Sequence, residues 1–327
     1  MQVTPIAPLP LPQFEVRLTA PDLSPWIAGN TGVAGFTSFD GAEPGPHVML
    51  LGLTHGNEIA GALVLDRLLR AGVQPPRGRL SIGFVNLAAF AHFDPHHPTL
   101  SRFVDEDINR IWDRALLDGA RRSVELDRAR VIRPLLDTVD VLLDLHSMLW
   151  PSDPLMLSGS SDKGRRLAFG IGTPPLIIAD HGHASGRRII DYARFVDPDT
   201  AAAAVLVEGG QHWQPNTVAT LEASVRGLLR HLDLVPASYP PAACPTAEQP
   251  PPRFAEVTEV VTAATGGFAF VQAYRGGDVI AKRNTLLAMD GAAEIRTPHD
   301  DCLLVMPSLR PSRGHTAVRL ARFPRQA

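Results

Sequence analysis

Five short apolar runs along the first two thirds of the chain restrict its fold more than any other feature: HVMLLGL (47–53), LSIGFVN (80–86), VDVLLDL (139–145), PLIIAD (175–180) and AAVLVEGG (203–210). Each is nearly continuous rather than alternating. That pattern suits a strand buried on both faces, because neither side of it meets water. Stretches with apolar residues at helical spacing lie between them. EIAGALVLDRLLRAG (58–72) ends on Gly72, with Pro75 beyond, and TVATLEASVRGLLRHL (217–232) completes the set. RRSVELDRARVIRPLLDTV (121–139) reads the same way, although Pro134 is expected to kink or divide it. Strands alternating with helices predict an α/β fold with a mostly parallel central sheet.

After residue 235 the texture changes. PASYPPAACPTAEQPPPR (236–253) holds seven prolines and few large apolar side chains, the composition of an extended linker or wrapping arm. Beyond it, EVTEVVTA, GGFAFVQA, DVIAKR, DCLLVMP and TAVRLARF read as short strands punctuated by glycines. The expected organisation is a catalytic α/β domain over 1–235, a proline-rich linker over 236–254 and a small β domain over 255–327. A length of 327 residues also favours more than one core.

Charge and composition remove several function classes. A net charge of −3 without a basic tract excludes nucleic acid as a partner. No run approaches the ~18 apolar residues of a membrane span. The N-terminal stretch MQVTPIAPLPLPQFEVRL has no basic start, and prolines stand where a signal peptide needs an unbroken apolar core. The expected location is the cytoplasm. Cys244 and Cys302 cannot make a disulfide framework and form no metal motif. No exposed seam reveals the oligomeric state, so a homo-oligomer stays open.

In open α/β sheets, ligands sit beyond the carboxyl ends of the strands, where loops and helix N-termini converge. His55 follows the run 47–53, and Glu58 opens the next helix. His146 follows 139–145, and Glu208 ends AAVLVE. A catalytic zinc takes three protein ligands, and two histidines plus a carboxylate leave one position for water. The spacing His55-x-x-Glu58 lets a loop residue and a helix-start residue face one ion, with His146 as the distant third. Asp144, two residues before His146, points to the same side of its strand and could hold that imidazole from behind. Each signal alone is weak. An isolated H-x-x-E pair is common by chance, a histidine ending a strand is commonly a satisfied edge residue, and Glu208 before two glycines could merely cap a turn. Their coincidence at strand ends strengthens the metal-site reading and leaves the bland alternatives open.

SRFVDEDINRIW (101–112) concentrates Arg102, Asp105, Asp107, Asn109 and Arg110. A solvated loop with local Asp–Arg pairs would look similar. Here Phe103, Val104, Ile108, Ile111 and Trp112 interleave with the charges, so the segment is expected to pack on the core. Arginine is suited to gripping a carboxylate bidentately and to offsetting a developing oxyanion. His92, His96 and His97 read as a polar loop rather than a second metal site. DHGHASGRRIIDYARF (180–195) reads as a loop or short hairpin over the site, carrying His181 and His183. His212 follows the glutamate motif and is a candidate to line the pocket.

THGNE, RFVDEDINR and DLHS, in this order, resemble the succinylglutamate desuccinylase/aspartoacylase family, a branch of the zinc carboxypeptidase superfamily. VNLAAF, with Leu87 in place of the usual proline, and VEGGQ (207–211) are similar to two further family segments, and the resemblance covers residues 45–215. It implies a zinc exopeptidase α/β/α sandwich with a small β domain near the active-site mouth. It implies one zinc per chain, held by His55, Glu58 and His146, and Glu208 as the general base. Arg102 then polarises the scissile carbonyl, and Asn109 with Arg110 binds the substrate carboxylate. Pro198 stands where aspartoacylases carry a further arginine. Arg187 and Arg188 are the substrate-binding candidates for that place, with Arg194 close by. The expected activity is hydrolysis of the amide bond of a small N-acyl amino acid. The alternatives are a metallocarboxypeptidase acting on peptides and a zinc-binding interaction module without catalysis. Glu208 and Arg102 speak against the second, since binding alone needs neither.

Overall fold

The computed structural model describes residues 14–182, 185–235 and 250–324. His183, Cys244, most of the proline-rich stretch and the N-terminal segment read for a leader lie outside the described residues. The first half contains β1 (Phe36–Asp40), β2 (Glu43–Gly52), α1 (Ile59–Arg70), β3 (Arg77–Phe84), α2 (Leu87–Phe90), α3 (Arg114–Asp118), α4 (Val124–Leu136) and β4 (Val141–Met148). Then follow β5 (Leu155–Leu157), α5 (Asp162–Ile171), β6 (Leu176–Ala179), α6 (Ala193–Val196), β7 (Ala203–Gln211) and α7 (Pro215–His231). The C-terminal part is all strand: β8 (Arg253–Thr262), β9 (Phe268–Phe270), β10 (Val279–Ile280), β11 (Leu286–Asp290), β12 (Ala293–Arg296), β13 (Cys302–Val305) and β14 (Thr316–Arg322).

Eleven strands form one sheet in the order β1-β3-β2-β4-β7-β5-β6-β8-β14-β13-β10. Its centre, β3-β2-β4-β7, is parallel throughout. Alternation along these strands sends side chains to two cores. Val48, Leu50, Leu143, Leu145, Val205 and Val207 pack with residues of α1, α5 and α7 on one face. Met49, Leu51, Leu142 and Leu206 pack on the other with α4, Trp112, Tyr192 and Phe195. The result is a three-layer α/β/α sandwich, as the continuous apolar runs require. Burying each such leucine or valine contributes about 1.5–3 kcal/mol, so the parallel centre carries much of the burial that holds the fold.

The C-terminal strands build two things. β8, β14, β13 and β10 extend the central sheet, β8 pairing parallel to β6. β12-β11-β9 form a separate antiparallel sheet over a small core that includes Phe268, Tyr274 and Leu287. Cys302 is buried in that core, and burial pushes its thiol up to about 11.

The expectation that Pro134 would divide its helix is not met. α4 runs unbroken from Val124 to Leu136, with Pro134 in its final turn. There the ring deprives the helix of one hydrogen bond next to its natural end. Ser123 caps the other end, accepting a hydrogen bond from Leu126 N at 2.9 Å. Among the described residues no helix is long and apolar enough to cross a membrane.

Candidate metal centre and active site

The chain leaves β2 through Leu53, whose φ of 55° lies in the left-handed region. That conformation costs a residue with a side chain about 1–3 kcal/mol, and such strain concentrates at functional sites. His55 follows, and Glu58 occupies the N-cap of α1 without capping it through its side chain. The Glu58 carboxylate instead faces sideways, over the ends of β2 and β4. Two glycines make this possible. A Cβ at Gly61 would stand 3.0 Å from the carbonyl oxygen of Leu145, so α1 rests directly on β4. A Cβ at Gly56 would stand 2.5 Å from backbone atoms of Ala89, Phe90 and Ser101. That close approach lets Gly56 N donate to the carbonyl of Arg102 at 3.1 Å and ties the two motif segments together.

His55, Glu58 and His146 are all buried, and one donor atom from each lies within 4.8 Å of the others. His55 Nδ1 is 2.7 Å from Glu58 Oε1, and His146 Nδ1 is 3.1 Å from Glu58 Oε2. The far nitrogens are held from behind: His55 Nε2 by Asp107 Oδ1 at 2.9 Å, and His146 Nε2 by Asp144 Oδ2 at 2.7 Å. Thr54 Oγ1 in turn donates to Asp144 Oδ1 at 2.7 Å. An aspartate on each outer nitrogen orients the ring so that its inner nitrogen faces the cluster, and at His55 the Arg102 Nη2 group also lies 2.9 Å from Nε2. The donor set therefore fits a divalent metal such as zinc. Burial disfavours charge on both Glu58 and His146. Even so, the two imidazoles hold Glu58 well below the usual carboxylate range, and Asp144 with Glu58 pushes His146 well above its usual value.

Glu208 lies directly beside His146 in the register of β4 with β7. Its Oε2 is buried and has no hydrogen-bond partner. Burial pushes its carboxyl up to about 8; Glu58 and Asp144 add to the effect, while His146 and Arg102 oppose it. A buried carboxyl with an unused oxygen and a pKa near neutrality is suited to proton transfer.

The segment 101–112 folds over this centre. Arg102 Nη1 is 3.3 Å from Glu58 Oε1, and its Nη2 is 3.1 Å from Asp107 Oδ2. Arg110 is held less completely: it donates to the Asn109 carbonyl at 2.7 Å, and Asp107 Oδ2 is 3.9 Å away. Burial, reinforced by Arg102, Arg319 and Arg188, lowers its guanidinium to about 10 against the pull of Asp107, so it remains charged at neutral pH. Asn109 Oδ1 accepts from Ile189 N at 2.8 Å, pinning the 187–191 segment.

The two other arginine candidates separate. Arg188 lines the cavity but is buried between Asp180 and Asp191, with bonds of 2.7–3.0 Å to both. Arg187 is half exposed, bonds to Asp113 at 3.2 Å and does not line the cavity. His212 does line it, with Nδ1 2.7 Å from Ser147 Oγ; burial lowers it to about 4, so it is neutral. His97 is exposed and paired with Asp94, as a polar loop would be.

Three contributors escaped the sequence reading. Asp107 supports His55, and its only signal was its place between two arginines. Arg319, on β14, lines the cavity from the C-terminal part; a lone charge inside the apolar run TAVRLA was the available sign. Glu125 is the anchor of the loop. Fully buried, it accepts backbone N–H bonds from Val104 (2.6 Å), Asp105 (3.0 Å) and Glu106 (3.2 Å). Glu125→Ala is expected to lower stability by about 3 kcal/mol, since three part-buried loop N–H groups and the buried Asn86 Nδ2 lose their acceptor. Urea denaturation measures this, and a change under ~0.5 kcal/mol would contradict the anchoring.

The cavity holds about 790 Å³ and is lined by His55, Glu58 and His146 together with Arg102, Asp107, Asn109, Arg110, Arg188, Glu208, His212 and Arg319. Residues 44–232 match the family model described as succinylglutamate desuccinylase/aspartoacylase catalytic domain. Aspartoacylase of Xenopus tropicalis is 29% identical over 114 residues, 32% of this chain and 35% of that protein. The match thus spans about a third of the curated relative's length. Among solved structures, succinylglutamate desuccinylase from Vibrio cholerae is similar with a TM-score of 0.64 and 17% identity, covering 89% of this chain and 86% of that one. An aspartoacylase family protein from Mesorhizobium loti gives a TM-score of 0.60 and 20% identity, covering 89% of each chain. At these identities the two structures speak to the fold.

Proposed function

Because the chain belongs to the succinylglutamate desuccinylase/aspartoacylase family, we propose that it hydrolyses the amide bond of a small N-acyl amino acid, using one zinc ion per chain. The observation that carries this reading is Glu208. A buried carboxyl with an unpaired oxygen stands beside the His55–Glu58–His146 cluster, which pure metal binding would not need.

His55, Glu58 and His146 would hold the zinc, with Asp107 and Asp144 fixing the imidazoles. When bound, zinc supplies a Lewis acid that polarises a carbonyl and acidifies water. Glu208 Oε2 takes the proton of the attacking water and returns it to the leaving amine. Arg102, at the edge of the cluster, offsets the negative charge that gathers on the carbonyl oxygen. Arg110 grips the carboxylate of the amino acid. Asn109, its Oδ1 already engaged, offers its amide nitrogen to the same group. Residues between 306 and 319 supply part of the cavity wall, which supports a small substrate over a peptide in this reading.

Carboxylate anchoring is tested with N-acyl amino acids and their carboxyl amides. A bidentate arginine–carboxylate contact in a partly dry pocket contributes about 1.5–3 kcal/mol. Arg110→Met is therefore expected to raise KM about tenfold or more for free acids, and far less for the amides. Arg102→Met is expected to depress kcat for both, since its contact strengthens as oxyanion charge develops. Wild-type hydrolysis of amides as fast as of acids would contradict the role given to Arg110.

A further inference from the structure

His212 is buried, yet one of its two ring nitrogens is unused. The residue stands directly past the end of β7, where its backbone N–H donates to the Met148 carbonyl at 2.7 Å. The next residue is held in an unfavourable form: Trp213 has a φ of 56°, in the left-handed region that disfavours a bulky side chain. Trp213 Nε1 donates to the Asn57 carbonyl at 2.9 Å, and its ring centre lies 5.0 Å from that of His212. On the imidazole itself, Nδ1 is 2.7 Å from Ser147 Oγ. Nε2 has no hydrogen-bond partner among the described residues, and the side chain lines the cavity.

The Ser147 hydroxyl decides where the ring proton resides. Its Oγ has no second partner among the described residues, so its single proton has one acceptor within reach, Nδ1. With Ser147 donating, the ring proton sits on Nε2. The opposite tautomer would leave a buried hydroxyl proton without an acceptor, which is the costlier arrangement. Burial keeps the ring uncharged at neutral pH. His212 therefore offers a neutral N–H from a ring held by Ser147 and Trp213. Besides burial, the groups that act most strongly on it are Glu58, Arg102, His55 and His146, whereas those acting on Arg110 are Asp107, Arg102, Arg319 and Arg188. The two residues thus flank the metal cluster from different sides, with Arg102 common to both.

We propose that His212 is a further catalytic residue, whose Nε2–H, oriented by Ser147, donates to the acyl carbonyl oxygen of the substrate beside Arg102. The proposal rests on the deacylase reading. With Arg110 holding the amino-acid carboxylate on one side of the cluster, the acyl group extends towards the other, where His212 stands. A neutral donor suits that oxygen. Its hydrogen bond is modest to a carbonyl and strengthens as negative charge gathers there, so it acts on the transition state more than on bound substrate. A ring already fixed by its neighbours needs no reorientation during the reaction.

Nitrogen-15 NMR of the histidines in the zinc-loaded protein tests this without turnover, His212 being assigned by the signals lost in His212→Gln. The expected wild-type pattern is a proton on Nε2, and Ser147→Ala is expected to give a mixture of tautomers. Methylphosphonate, a tetrahedral oxyanion that stands in for the hydrated carbonyl, is expected to move the His212 Nε2–H proton signal downfield. A proton on Nδ1 in wild type, or an Nε2–H signal that methylphosphonate leaves unmoved, overturns the proposal. Kinetics with N-acyl amino acids supply the second arm. His212→Phe keeps a ring but has no donor, and is expected to lower kcat about 10²-fold with KM within about threefold and zinc content unchanged. His212→Gln returns an N–H near the same place and is expected to recover about tenfold of that loss. An unchanged kcat in zinc-replete His212→Phe, or a loss carried by KM alone, overturns the proposal as well. Should His212→Phe fail to fold, the spectra of wild type and Ser147→Ala decide. Absence of amide hydrolysis by wild type would instead count against the deacylase reading, with the donor role of His212 still judged by the NMR.

Discussion

His146→Ala is expected to remove bound metal and turnover together. The imidazole is buried, with Nδ1 directed at Glu58 and Nε2 fixed by Asp144. Its removal takes away one of three donors. It also leaves the buried carboxylates of Glu58 and Asp144 without the group that separates and compensates them. Elemental analysis is expected to fall from one zinc per chain to near zero, with hydrolysis at the uncatalysed level. Asp144→Asn gives a graded companion result: the imidazole stays but loses its anionic support, so metal affinity is expected to fall about 10–100-fold. Stoichiometric zinc in purified His146→Ala would refute the ligand assignment.

Glu208→Gln should separate chemistry from structure. Glutamine retains the size of the side chain but cannot take a proton at neutral pH, so turnover is expected to fall by roughly 10²-fold or more, with zinc content unchanged. Stability gives a second readout on the metal-free protein. The carboxyl's folded pKa is raised, to about 8, so the native state holds a proton that the unfolded chain releases from about 4.5 upward. Stability from this group is therefore full below the ordinary carboxylate range and is lost as pH rises towards about 8. Metal-free wild type is expected to weaken between these limits, and Glu208→Gln to show a flatter profile. Near-normal turnover in the variant would dismiss the general-base role.

Much of this was readable in the residues. The parallel centre follows from runs such as HVMLLGL, whose continuity leaves no solvent face, and strand ends are where such sheets place ligands. That logic brought out His55, His146 and Glu208, and the two-residue period of a strand brought out Asp144 beside His146. Other elements were hidden for physical reasons. β5 is three residues long, too short to show a period. α5 carries two glycines that weaken its helical signal, and its start depends on Ser161 accepting from Gly164 N. β11 and β12 form a hairpin rich in alanine, which carries little strand propensity. The continuation of the sheet through β8 into β14 depends on pairing between distant segments, which local pattern does not encode. Arg319 reaches the cavity only because of that pairing. Arg187 and Arg188 are adjacent in sequence, and only the fold shows that one meets solvent and the other two buried aspartates.

The most direct test of the deacylase reading is amine release by the zinc-loaded protein from small N-acyl amino acids and, side by side, from N-blocked dipeptides. Sustained, chelator-sensitive release from at least one N-acyl amino acid, well above any release from the dipeptides, is the expected result. Hydrolysis confined to the dipeptides, or none from any acyl amino acid at full zinc occupancy, would contradict it.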